Sequence, residues 1–173
     1  MKGRYLLVAT LVGGLVLFGW GAISNATGLF QALEPSRFTD STLVVETVKA
    51  NAPVNGVYFD DRGLFAAVSL QRDLAPRYAS LAVPLVTQLL IEFAVAFLLA
   101  WVLLRLPVWS PFGTGSIFAA FGLAAGGALL FSEANWYGLP LPYQLANLAD
   151  LVVGWFLLGI LTGVFRRKWV AEI

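Results

Sequence analysis

The stretch Ala79–Arg105, ASLAVPLVTQLLIEFAVAFLLAWVLLR, decides the fold, because it carries a single charge, Glu92, before the closing arginine. About twenty apolar residues in a helix rising 1.5 Å each are needed to cross a hydrocarbon core of roughly 30 Å. This run reads as a membrane span from Ala79 to Leu104, with Arg105 stopping it.

Working outward, three further runs have the same character. Tyr5–Ser24 is uncharged and follows Lys2 and Arg4; Gly115–Ser132 is rich in glycine and alanine; Leu145–Phe165 ends on Arg166, Arg167 and Lys168. A basic start before an apolar middle also fits a cleaved signal peptide. The first run is long for one, and no clear small-x-small cleavage site follows it. Of the 173 residues, 59% are hydrophobic and 12% charged, with mean hydropathy +0.80, against about 25% charged in soluble domains. The expected fold is therefore an all-α four-transmembrane-helix bundle. Its sections are span 1 (1–24), an extracytoplasmic loop (25–78), and spans 2–4 with the C-terminus (79–173).

Four spans place both termini on one side. Lys2, Arg4, Arg105 and the Arg166–Lys168 cluster share that side, which the positive-inside rule makes cytoplasmic. Residues 106–114 then face the cytoplasm, and 25–78 and 133–144 face the periplasm or exterior. The 25–78 loop holds six acids and five bases, a nearly neutral balance. Trp20, Trp101, Trp136 and Trp169 fall near span ends, as interfacial anchors do.

The outer loop reads as a small α+β unit, a helix plus a β-hairpin. Asp40 can cap a helix over Ser41–Ala50, with Leu43, Val44, Thr47 and Val48 on one face and Pro53 as its stop. Val57–Phe59 and Leu64–Leu70 read as strands around Asp60-Asp61-Arg62-Gly63, where Gly63 can turn left-handed. Such a unit is too small to hold its own core, so packing on the bundle or on a partner is expected.

With no cysteine and no histidine, thiol nucleophiles, disulfides, histidine-ligated haem and the usual zinc sites are excluded. No catalytic residue, metal ligand or cofactor is assigned, and a net charge of +1 gives no reason to expect nucleic acid. There is no internal repeat of the kind common in secondary transporters.

Glu92 is the most informative side chain. An ionisable group at mid-span costs about 2.5 to 3.5 kcal/mol on insertion scales. Pro84, Gln88, Glu92, Ala96 and Ala100 recur every four residues, a polar and small stripe expected to face the bundle. Arg105, thirteen residues away, is too distant to neutralise Glu92. The carboxyl is thus either neutral and hydrogen-bonded, to Gln88 or another helix, or paired with a cation from a partner or ligand.

Asp150, with Asn147 one turn before and Gly154 one turn after, is the second polar position. It is expected a turn or two below the outer interface, several turns from Glu92 in depth, which argues against paired-carboxylate chemistry. Gly122 with Gly126, and Gly159 with Gly163, are small-xxx-small pairs that allow close helix packing, within the chain or across an oligomer. Trp136–Tyr143 reads as a rigid turn or as a lipid or quinone headgroup contact. Asn25-Ala26-Thr27 fits a glycosylation sequon.

Phe18–Ser24, Asn51–Tyr58 and Trp136–Tyr143 continuing through Asn147, Asp150, Gly154 and Trp155 carry a resemblance. The chain resembles a group of small uncharacterised bacterial membrane proteins with four spans and one structured outer loop. The resemblance implies the bacterial inner membrane and transfers no catalytic residue. The expected function is that of a non-enzymatic accessory subunit in the lipid bilayer, binding a protein partner or forming a homo-oligomer. The alternative is a small oligomeric transporter or proton-conducting protein using Glu92.

Overall fold

The computed structural model describes residues 2–29, 36–69, 81–107 and 109–170. Among them, helices α1 (Lys2–Ala26), α2 (Ser41–Asn51), α3 (Ala82–Leu103), α4 (Pro111–Tyr137) and α5 (Leu141–Trp169) accompany strands β1 (Gly56–Asp60) and β2 (Leu64–Val68). Four of the helices, α1, α3, α4 and α5, are long and apolar enough to cross a membrane. The chain divides into two units, residues 34–84 and the remainder.

In the helical unit, α4 and α5 form the tightest pair. Ser110 starts α4 by accepting a hydrogen bond from the Gly113 amide, and Pro111 occupies the first helical turn, where its missing N–H costs nothing. Gly138 ends the helix at φ +67°, its amide bonded to Ala134. Only residues 138–140 separate α4 from α5, so the two run antiparallel. Both helices are longer at this end than the apolar runs indicate: Trp136 and Tyr137 complete α4, and Leu141–Gln144 already belong to α5.

Glycine sets the spacing. A Cβ on Gly159 would lie 2.7 Å from the Gly115 Cα and 2.8 Å from the Thr114 carbonyl, and one on Gly163 would lie 3.0 Å from the Pro111 Cα. These backbones touch. Towards the other end of α4, Gly122 faces Trp155 and Gly126 faces Leu148 and Leu151. All four glycines of the two small-residue pairs are thus used within the chain.

Helix α1 lies on α5 and meets α3 at Gly13 and Gly14. A Cβ on Gly13 would strike Leu158, and one on Gly14 would enter the Phe93 ring. Tyr5, Ala9 and Leu17 of α1 join Ala96, Leu99, Ala100 and Leu103 of α3, Phe118 of α4 and Leu158 of α5 in the core. Within α3 every buried residue lies between Ala96 and Leu103. The expectation that the whole Pro84–Ala100 stripe turns inward is corrected: Ala96 and Ala100 are buried, Pro84 and Glu92 are half-buried, and Gln88 is exposed. The small side chains at 96 and 100 permit close packing that the first half of the helix does not share.

The 34–84 unit follows its local chemistry. Asp40 Oδ1 accepts from the Leu43 amide at 2.9 Å, and the Ala52 amide closes α2 on Val48. Only Val44 and Val48 of the expected helix face are half-buried; Leu43 and Thr47 are exposed, so the covered stripe is narrower than the spacing predicts. β1 and β2 pair antiparallel from Gly56↔Val68 to Asp60↔Leu64, and Gly63 takes φ +98°. Asp60 accepts two bonds from the Arg62 side chain, at 2.8 and 2.9 Å, and one from its amide. These bonds hold the Asp60 carboxyl below its ordinary range, the side-chain bonds contributing most. Of the expected elements, Leu70 and residues 78–80 lie outside the described residues.

Candidate functional site

The four-residue spacing along α1 brings Phe18, Gly21 or Ala22, and Asn25 onto one face. That face, with Leu17, forms one wall of a cleft of about 460 Å³; Leu85, Gln88 and Glu92 of α3 and Asp150 of α5 complete it. A smaller recess of about 90 Å³ is lined by Glu92 and Asp150 together with Trp20, Leu151, Gly154 and Trp155. Glu92 and Asp150 therefore line both spaces.

This corrects the expectation that Glu92 and Asp150 are separated in depth. Helix α5 begins at Leu141, not Leu145, which puts Asp150 nine residues, about 13.5 Å, along it. Glu92 is ten residues, about 15 Å, along α3. Helices α3 and α5 run in the same direction, since α4 returns between them, and the two acids therefore come to one level.

Their surroundings differ. The Gln88 Nε2 donates to Glu92 Oε1 at 2.6 Å, and Gln88 is exposed at the cleft edge. Asp150 Oδ1 is closed off from solvent and has no hydrogen-bond partner among the described residues. Among the described residues, Glu92 and Asp150 are the titratable groups lining the cleft, and no lysine or arginine lines it. α1 contributes the amide of Asn25, whose Nδ2 also donates to the Gly21 carbonyl at 2.8 Å. Asn147 is not drawn in: its amide donates to the Tyr143 carbonyl of its own helix at 3.0 Å.

Trp20 fixes the wall between α1 and α5. Its Nε1 donates to the Asp150 carbonyl at 3.1 Å, and Gly154, one turn on, leaves room for the indole: a Cβ there would lie 3.0 Å from Trp20 Cδ1. Beyond the interfacial position that the sequence suggests for Trp20, the residue is an interhelical contact. Trp136 is 78% exposed, and Trp101 and Trp169 sit under the guanidinium groups of Arg105 and Arg4 respectively.

At the opposite end of the bundle Arg166 is buried. It donates to the backbone carbonyls of Leu106 and Pro107, fastening the α3–α4 connection. The sequence reads Arg166 only as part of a basic cluster. Asn25 and Phe18 were also legible only in part: their helical spacing was available, but Asn25 reads first as a sequon. Gln144, fully buried, donates to Glu133 at 3.1 Å.

No family model matches the chain, and comparison with curated proteins and with solved structures finds no similar protein.

Proposed function

We propose that this chain is a small non-enzymatic membrane protein that binds a positively charged species, a proton or a cation, in the cleft between α1, α3 and α5 and conducts it as an oligomer. One observation carries the reading: Glu92 and Asp150 line the same cleft, at matching distance along parallel helices. Two carboxyl groups within the spans, with no basic residue beside them among the described residues, favour an ion or proton path because of their cost in the membrane. Four helices leave little room for a pore, which favours a homo-oligomer. The positive-inside distribution orients both termini to the cytoplasm, and the resemblance favours the bacterial inner membrane. Reconstitution into vesicles under a pH gradient tests the reading. Proton or cation flux in the wild type and its loss in Glu92→Gln support it; a nonzero flux unchanged by Glu92→Gln removes the mechanism.

A second reading, the accessory subunit, draws support from α3. Its first half contributes no buried residue yet presents Gln88 and Glu92, polar groups that a partner's helix would cover. The 34–84 unit, with no buried residue in α2, gives a second surface for that partner. Native mass spectrometry of gently extracted protein separates the readings: a defined mass with another polypeptide favours the accessory role, and a homo-oligomer favours conduction.

A further inference from the structure

We infer that the cleft accepts a lipophilic cation, with its charged head between Glu92 and Asp150 and its apolar body against Phe18, Ala22 and Leu85. The inference rests on the reading of this cleft as the functional site and names its ligand class.

Three features of the cleft select that chemistry. The first is volume: about 460 Å³ is within the 300–1,000 Å³ typical of small-molecule pockets. It is roughly fifteen times the 30 Å³ share of one water in the liquid, so a bare inorganic ion would leave most of the space unfilled. The second is charge. Both titratable residues on the lining, Glu92 and Asp150, are acids, which favours a cationic head over a neutral or anionic one. The third is the rest of the wall, which apart from Gln88 and Asn25 is hydrocarbon and a Phe18 ring. Aromatic faces attract cations more strongly where water is excluded. An anion finds two carboxyl groups, and a sugar finds few hydrogen-bonding partners beyond Gln88 and Asn25.

The test is equilibrium binding of tetraphenylphosphonium to the purified full-length protein in detergent, with tetraphenylborate as the anion of matching shape and protein-free micelles as the blank. Saturable binding of the phosphonium, with none of the borate, is expected. Glu92→Gln and Asp150→Asn should each weaken it at least tenfold. Leu85→Trp, which fills the cleft and keeps both acids, should do the same. Equal binding of the two probes, or phosphonium binding unaltered in all three variants, overturns the inference. Binding without flux in vesicles would leave this site standing and remove conduction; proton flux without phosphonium binding would do the reverse.

Discussion

The indole nitrogen of Trp20 donates to the backbone carbonyl of Asp150 across 3.1 Å, joining α1 to α5 beside the cleft. The bond depends on Gly154, which leaves the indole space against α5. Trp20→Phe should keep the ring in place and lose the hydrogen bond, costing about 0.5–1.5 kcal/mol. Gly154→Val should cost more, because its side chain displaces the ring. Unfolding midpoints in detergent give the order, and loss of one slowly exchanging indole N–H resonance in Trp20→Phe identifies the bond.

The α4–α5 seam should tolerate no Cβ at position 159. Gly159→Ala puts a methyl group against the Gly115 backbone, and forcing extra carbon into a packed core costs about 1–3 kcal/mol. Gly19→Ala is the matched control, since a Cβ there meets nothing within 4 Å. Stability should fall for the first and hold or rise slightly for the second, measured by thermal unfolding.

Arg166 and Arg167 are adjacent and should behave differently. Arg166→Gln removes hydrogen bonds from a charged donor to two carbonyls, each worth about 1.5–3 kcal/mol. The α3–α4 connection should then become sensitive to proteolysis. Arg167, exposed on the next position, should be replaceable by glutamine without change. Equal protease resistance in the two variants would refute the fastening role.

The hairpin turn should respond to acid. Its Asp60 carboxyl is held below the ordinary aspartate range by the hydrogen bonds from Arg62, so its contribution to the turn is present above the unfolded-state value. It is lost only as pH falls through the lower, folded-state value. Carboxyl NMR titration should place the Asp60 midpoint below the ordinary aspartate range, and Arg62→Gln should raise it. An Asp60 midpoint unmoved by Arg62→Gln would contradict the assignment.

Much of this organisation is legible in the sequence, for local reasons. The spans follow from uncharged runs, the start of α2 from Asp40, and the turn at Gly63 from its conformational freedom. Helix ends are less legible, since α4 and α5 continue through polar residues such as Glu133 and Gln144 that hydropathy assigns to a loop. That four-residue error at Leu141 displaces Asp150 by a full turn and hides its match with Glu92. The fastening by Arg166 depends on carbonyls about sixty residues away in sequence, which no local pattern reveals.

If Glu92 and Asp150 serve one site, a double-mutant cycle on vesicle flux reveals their coupling. Glu92→Gln and Asp150→Asn should each reduce flux at least tenfold, and the double variant should lose little more than either single one, because groups acting as a unit are non-additive. Losses that multiply in the double variant, or a full flux retained by Asp150→Asn, would show that the two acids work apart.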